Sequence, residues 1–467
     1  MRPRLIIVLL LLALGAAAQN VRITWVGQSC FVVQTLDGGP VVITDPPAAS
    51  YGYPLPTLPA GVVTVSHNHG DHNNTAGLAG TPTLVDGRTI TARQEITAAG
   101  IPFVLIPGFH DNQKGAQRGA NAIIRWTQAG LKLAHLGDHG EEQLSAAQAA
   151  ELKGLDVMII PAGGYYTIDA ARAAAFIAEL KPRVAILMHF RTALGGPAQL
   201  DTFPAVVFPF SEFRYQPASV VLNRSALPQT TEVWLMEPAA PVVAVNAAGF
   251  SAGMPVAPGS LVALFGDFPG AKTQPAGSVP LPRRLGETEV LIGTAAAPLL
   301  YVSPTQINLQ LPRQAETAQH VVEVRVGGQR VARGALTVIP TAPGVFAAVG
   351  QDGRLNTVRA GQILTIYASG QGAVAPAVED GAPAPLQPPA VTFLLPDVFI
   401  SYRNAPVLFS GLAPGWIGLW QLNVAVPPDV PVGRAIPLVV NQGITSNVLY
   451  ITVEGGSACP VCSCPGC

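Results

Sequence analysis

The 467-residue sequence predicts a mixed α/β N-terminal half followed by an all-β C-terminal half. Three observations predict it. Up to about residue 237, short β-branched apolar runs alternate with Gly- and Asp-containing turns and with two Ala-rich stretches of helical composition. From Val242 onward the chain carries short alternating strands, frequent Gly and Pro, and little helix-forming sequence. That second region also repeats itself internally, in two units of about a hundred residues each, a size suited to immunoglobulin-like β-sandwiches.

Composition narrows the function classes. Hydrophobic residues make up 49% and charged residues 12%, and 48 Gly with 44 Pro imply many turns. A formal charge of -1 offers no electrostatic basis for binding nucleic acid or an anionic membrane. At the N-terminus Arg2 and Arg4 precede the apolar run Leu5–Leu14 and the small residues Ala16-Ala17-Ala18. This is the pattern of a signal peptide over 1–18. No cysteine sits at the cleavage point, so the mature chain is expected to start near Gln19 without a lipid anchor. No later segment is apolar for long enough to span a bilayer. The protein is therefore expected to be exported, to the periplasm or beyond the cell.

In chain order, Val21–Val26, Phe31–Thr35 and Val41–Thr44 read as strands, separated by Gly27-Gln28 and by the hairpin turn Asp37-Gly38-Gly39. Cys30 reads as a small buried hydrophobe. Asp45-Pro46 ends the third strand. Val62–Val65 is a buried strand that delivers His67, His69, Asp71 and His72 into a loop, with Asn73 and Asn74 as N-caps for a following helix. Three imidazoles and a carboxylate within six residues suit Zn²⁺ or a similar ion. His67 and His69 can face one way from an extended segment while Asp71 and His72 diverge, so one loop can serve two ions.

Strands follow at Thr83–Val85 and Pro102–Pro107, the second leading to His110. Ala122–Thr127 and Leu131–His135 form a hairpin that leads to His135, Asp138 and His139. Ser145–Lys153 is helical, Val157–Ile160 is a buried strand, and Asp169 caps a helix over Ala170–Leu180. The strand Val184–Met188 then presents His189. Seven of the eight histidines fall between 67 and 189. The Glu232–Met236 strand and the linker Pro238–Pro241 bring the expected first domain, 19–237, to its end.

His-x-His-x-Asp-His after a hydrophobic strand resembles the metal-binding loop of the metallo-β-lactamase-fold hydrolases. Phe109-His110-Asp111 with Gly115 and Arg118–Asn121, then His135-Leu136-Gly137-Asp138, then Met188-His189-Phe190 are similar to one branch of that family. This branch includes the bacterial ascorbate-phosphate lactonase. The resemblance spans roughly residues 20–237 and implies an αββα sandwich with metals at one edge. It implies two divalent ions, zinc or alternatively manganese, held by His67, His69, Asp71, His72, His110, Asp138 and His189. Asp138 would bridge the two ions, and Asp71 would also steer the nucleophile's proton. Asp45 is either a buttress of the metal loop or a turn-forming residue before proline. His135 supports the site from behind. Arg118, Tyr165 and Tyr166 are candidates for substrate contacts, beside a structural reading of each.

The implied activity is that of an exported hydrolase in which a hydroxide shared by two metals attacks a small-molecule ester, lactone or phosphoester. No serine or cysteine nucleophile motif is present. The alternative is a non-catalytic extracellular binding or surface-attachment protein with a structural metal.

In the second half, Ala257–Gly266 echoes Arg359–Ala368, Ala297–Tyr301 echoes Ala405–Phe409, and Gln306–Asn308 echoes Gln421–Asn423. The expected units are 242–342 and 343–454. The segments Val245–Phe250, Ala257–Ser260 and Tyr301–Asn308 resemble a paralogous bacterial extracellular module. Attachment to a cell surface or polysaccharide is one implied role, with Trp416 and Trp420 as aromatic platforms or, alternatively, as core residues. The tail, 455–467, holds Cys459, Cys462, Cys464 and Cys467, suited to disulfides, metal or crosslinking.

Overall fold

The computed structural model of the protein describes residues 20–53 and 55–455. The expected signal segment and the four tail cysteines lie outside the described residues. The N-terminal half runs β1 (Val21–Gly27), β2 (Cys30–Thr35), β3 (Val41–Thr44), β4 (Ala60–Val65), β5 (Gly80–Asp86), β6 (Gln94–Ala98), β7 (Ile101–Phe109), β8 (Ala120–Gln128) and β9 (Leu131–His135). It continues with α1 (Ala146–Leu152), β10 (Val157–Pro161), α2 (Ala170–Leu180), β11 (Val184–Met188), α3 (Phe203–Val207), β12 (Arg214–Gln216), β13 (Ser219–Leu222) and β14 (Glu232–Met236).

These strands make a six-stranded sheet, β13-β1-β2-β3-β4-β5, and an eight-stranded sheet, β12-β14-β11-β10-β9-β8-β7-β6. One apolar core joins them, with Trp25, Phe31 and Val62 from the first sheet packed with Leu105, Trp126, Ile159 and Ile186 from the second. Phe176, Ile177 and Leu180 of α2 add to the same core. The three α-helices among the described residues all follow β9. Between β1 and β9 the only helical segments among the described residues are short 3-10 turns, so the expected helical layer comes from the second half of this region. Ser145 caps α1 through a reciprocal bond with Gln148, and Asp169 caps α2. Asn73 and Asn74 do not cap. Their side chains donate to Asn68 and to the Pro47 carbonyl, and a single 3-10 turn follows.

Strand direction is what positions the site. β3 and β4 are parallel, as are β9, β10 and β11. β7 and β9 each run antiparallel to β8, so they share a direction. The residues that follow β7, β9 and β11 therefore emerge at one edge of their sheet, the edge where functional residues of open α/β sheets collect.

The C-terminal half is all β, and the sequence echoes correspond to equivalent pairings. Leu261–Phe265 pairs antiparallel with Gln306–Gln310, which pairs with Leu299–Val302. In the same way Ile363–Ser369 pairs with Trp420–Ala425, which pairs with Val407–Leu412. The units differ in closure. Val242–Asn246 pairs antiparallel with Leu261–Phe265 and parallel with Gln329–Val338, so the first unit is one continuous sheet. In the second unit those two pairings fall to separate strands. Gly344–Gly350 pairs with Ile363–Ser369, and Thr357–Arg359 pairs with Leu449–Glu454. Two six-stranded sheets result. Trp420 is fully buried, its indole N–H donating to Ser410, whereas Trp416 is exposed. The two do not form a shared platform.

Candidate metal centre

The loop after β4 is shaped by its backbone. Ser66 N–H donates to Asp45, and His72 N–H donates to the His69 carbonyl, closing a turn. That turn separates His67 and His69 from Asp71 and His72. His67 Nε2 lies 3.0 Å from His69 Nδ1, and their rings meet the His110 ring. His110 Nε2 is 3.0 Å from Asp138 Oδ2. On the other side His72 Nε2 lies 3.2 Å from Asp138 Oδ1 and 3.4 Å from Asp71 Oδ2, while His189 Nε2 is 3.0 Å from Asp138 Oδ2. The donors thus fall into two groups, His67-His69-His110 and Asp71-His72-Asp138-His189. Asp138 Oδ2 reaches into both.

These spacings fit metal ions. Ligand atoms about 2.0–2.1 Å from a tetrahedral zinc stand about 3.3 Å apart, close to the separations here. The buried atoms His72 Nε2, His189 Nε2 and Asp138 Oδ1 make no hydrogen bond of regular geometry and meet only in ion-pair contacts with one another and with the neighbouring carboxylates. Buried polar atoms without partners are costly; a cation between them would satisfy them. A third grouping, Asp45-His67-His72, is different in kind, because its atoms already bond one another or Ser66. Asp45 Oδ2 accepts from Ser66 Oγ at 2.5 Å and from His72 Nδ1 at 2.9 Å. His67 Nδ1 in turn lies 2.9 Å from Ser66 Oγ. Asp45 therefore sets the tautomers that leave both Nε2 lone pairs free for a cation. Asp45 is thus hydrogen-bonded to both Ser66 and His72 of the loop that carries His67 and His69.

His135 sits behind the site. Its Nε2 donates to the Ser29 carbonyl and its Nδ1 accepts from Gly137 N–H, and burial lowers its pKa. It is a neutral strut for the Gly137-Asp138 turn. Two residues that sequence reasoning left without a role act beside it. Asn121 accepts from Asp138 N–H and donates to the Leu136 carbonyl, and Gln28 donates to Asp71 Oδ2 at 3.1 Å. Gln28 follows Gly27 in an ordinary hairpin turn, and nothing local marks it; a polar side chain fully buried at a strand end is visible only in three dimensions. Gly137 has φ +55°, and a Cβ there would strike Asn121 and Ser66, so the turn requires glycine. His139, to which the sequence assigns no role, is fully buried against Phe176, and burial pushes its pKa down to about 4. Cys30 is buried as expected, its thiol pushed up by that burial.

A cavity of about 530 Å³ opens over the cluster, lined by Tyr51, His69, Asp71, His110, Arg118, Asp138, Tyr166, Gly196 and Pro197. Arg118 and Tyr166 also line an adjoining cavity of about 590 Å³ that contains Tyr165. The Arg118 guanidinium lies 5.6 Å from the Tyr166 ring centre and 6.0 Å from that of Tyr165. Asp111 holds the loop beneath Arg118, accepting four backbone N–H groups, from Gln113, Gly115, Gln117 and Arg118. Of the three sequence candidates for substrate contact, Arg118 and Tyr166 border the cavity over the cluster and Tyr165 borders only the adjoining one.

The electrostatics are those of a charge cluster poised for a cation. Burial disfavours ionisation of Asp71 and Asp138, yet neighbouring His72 and His189 hold both carboxyls below the usual range. Burial opposes the His189 cation, but Asp138 and Asp71 outweigh it and raise its pKa to about 9. His67 is driven the other way, by burial and then by the charge of His72. A pH dependence follows. Between the unfolded value near 6.5 and about 9, the metal-free fold binds more protons at His189 than the unfolded chain does. The His189 contribution to its stability therefore falls as pH rises through that window, while His67, His69, His135 and His139, whose pKa values burial lowers, contribute the opposite slope near its lower end. The depressed carboxylates are ionised in both states there and add no slope. A metal needs the neutral imidazole, so metal uptake strengthens over the same range. Thermal melts of chelator-treated and metal-loaded protein from pH 6.5 to 9 are expected to diverge; parallel curves would refute this coupling.

Residues 22–189 match the family model of the beta-lactamase superfamily domain. The curated relatives include a UPF0173 metal-dependent hydrolase from Anaeromyxobacter sp. (strain K), 27% identical over 263 residues, covering 49% of this chain and 88% of the relative. A second, from Archaeoglobus fulgidus, is 29% identical over 199 residues, covering 37% and 84%. A solved metallo-beta-lactamase superfamily protein from Thermotoga maritima is 27% identical, covers 46% of this chain and 98% of its own, and gives a TM-score of 0.38. The N-terminal half of this chain is thus homologous to proteins named as metal-dependent hydrolases of the metallo-β-lactamase superfamily.

Proposed function

We propose that the protein is an exported hydrolase acting on a small ester, lactone or phosphoester with two divalent ions, zinc being favoured by the imidazole-rich donor set. One observation carries this reading: a carboxylate shared by two donor groups lies beneath an open cavity. Structural metal sites are closed, whereas catalytic sites keep an open position, and this argues against a purely structural metal. When bound, the ions supply Lewis acidity, activating water and balancing the charge that develops on the substrate.

The chain's own residues divide the remaining work. His67, His69 and His110 would hold one ion and Asp71, His72 and His189 the other, with Asp138 placed between the two groups to serve both. Asp71 Oδ2, already accepting from Gln28, is placed to accept the nucleophile's proton. Tyr51, Arg118 and Tyr166 orient the substrate from the cavity wall.

We further propose domain limits of 19–237, 242–342 and 343–454, with the last two as immunoglobulin-like units that attach the enzyme to a surface or polysaccharide. The equivalent strand pairings support this. No helix among the described residues is long and apolar enough to cross a membrane. The reading is tested by metal analysis of the purified protein together with turnover of ester, lactone, phosphodiester and β-lactam panels. Two metals per chain and turnover that chelation abolishes are expected. A metal-loaded protein inert on every panel would refute catalysis.

A further inference from the structure

The N-terminal half lines the metal cavity, but one of the loops that shape it is held from outside that half. His189 is followed by a tight loop in which Thr192 Oγ1 lies 2.7 Å from the Tyr53 hydroxyl, which also donates to the Gly195 carbonyl. Gly196 N–H donates to the Tyr51 carbonyl. Tyr51, Gly196 and Pro197 line the cavity over the metal cluster, so the position of this loop sets the shape of the opening. The approach is close: a Cβ at Gly195 would strike the Tyr51 carbonyl.

The outer side of the loop is held by the first β-rich unit. Ala193 N–H donates to Gln319 Oε1 at 2.8 Å. The Arg333 guanidinium donates to the Leu194 carbonyl at 3.2 Å and to the Ala193 carbonyl at 3.3 Å. Gln319 and Arg333 lie on the paired strands Ala318–Val326 and Gln329–Val338. Arg333 has no carboxylate within ion-pair distance among the described residues, so its planar fork is committed to two successive carbonyls. Leu194 is buried against Tyr53 and Ala335.

We infer that Arg333 and Gln319 are positioning residues for the metal cavity, and that the β-rich unit braces a loop of the cavity wall rather than serving only as a spacer. Backbone groups of a tight loop need partners. Here three of them, the N–H and carbonyl of Ala193 and the carbonyl of Leu194, find those partners across the unit boundary. Removing the fork frees the loop, and the displacement passes through the Gly196–Tyr51 bond to the cavity mouth. The effect on turnover rests on the hydrolase reading; the effect on the loop does not.

The test uses the full-length, metal-loaded protein, with Arg333→Ala, Gln319→Ala and the conservative Arg333→Lys. Hydrogen exchange at residues 192–197 is expected to speed up in both alanine variants, with metal stoichiometry retained. On any panel compound that is turned over, kcat/KM is expected to fall by about 10- to 100-fold, mostly through KM, with partial rescue by lysine. Unchanged exchange at 192–197 in both alanine variants overturns the inference, as does a loosened loop with unaltered kcat and KM. If the wild type turns over nothing, the hydrolase reading fails; faster exchange then still supports the positioning role, and unchanged exchange still overturns it.

Discussion

Asp138→Ala is expected to reduce bound metal from two ions per chain to one or none, and to lower kcat/KM by about 10³-fold or more. The size follows from the several kcal/mol that metal polarisation supplies to hydrolysis, at about 1.36 kcal/mol per tenfold in rate. No other side chain can compensate. Among the described residues, Asp138 is the one carboxylate within 4 Å of His67, His72, His110 and His189 together. Its removal also leaves the His189 cation with Asp71 as its remaining nearby carboxylate, so the His189 pKa falls and the alkaline loss of metal-free stability shrinks. Metal analysis, turnover and chelated melts read these effects separately. Retention of two metals with wild-type activity would remove Asp138 from the proposed role.

Asp45→Asn is expected to weaken metal binding by about 10- to 100-fold, the usual cost of losing the partner that orients a ligating histidine. The change keeps the shape but puts an N–H₂ where an acceptor is needed. Asp45 uses both carboxylate oxygens, one for Ser66 N–H and one for Ser66 Oγ and His72 Nδ1. Whichever way the amide turns, one of those donors faces another donor in a fully buried site. His72 loses its enforced tautomer, and His67 is disturbed through Ser66. Competition with a chromogenic chelator measures the affinity. Wild-type affinity in the variant would return Asp45 to the other sequence reading, a simple turn residue.

The site was unevenly legible in the sequence. His67, His69, Asp71 and His72 sit within one loop after an apolar strand, so their proximity is enforced by the chain itself. His110, Asp138 and His189 were marked by their places after strands and by the family resemblance, since no local rule brings residues 110 and 189 to position 67. Gln28, Asn121 and the Arg333 fork carried no signal strong enough to assign them a role. Their function is a direction in space, and a hydrogen bond between residues far apart in the chain leaves no spacing to read.

By itself the sequence determined the strand-rich order of elements, the two Ala-rich helices with the Asp169 cap of the second, the donor types, and the internal repeat of the C-terminal half. Period, caps and turns are local properties, set by the steric and hydrogen-bonding preferences of neighbouring residues. Only the tertiary structure decided that β3, β7, β9 and β11 deliver their end residues to a common centre, that Asp138 stands between two donor groups, and that Trp420 is core. It also decided that the loop after His189 is held from the β-rich half. Those outcomes depend on strand direction and on packing between distant segments, and these are settled by burial of the shared core rather than by any local stretch of chain.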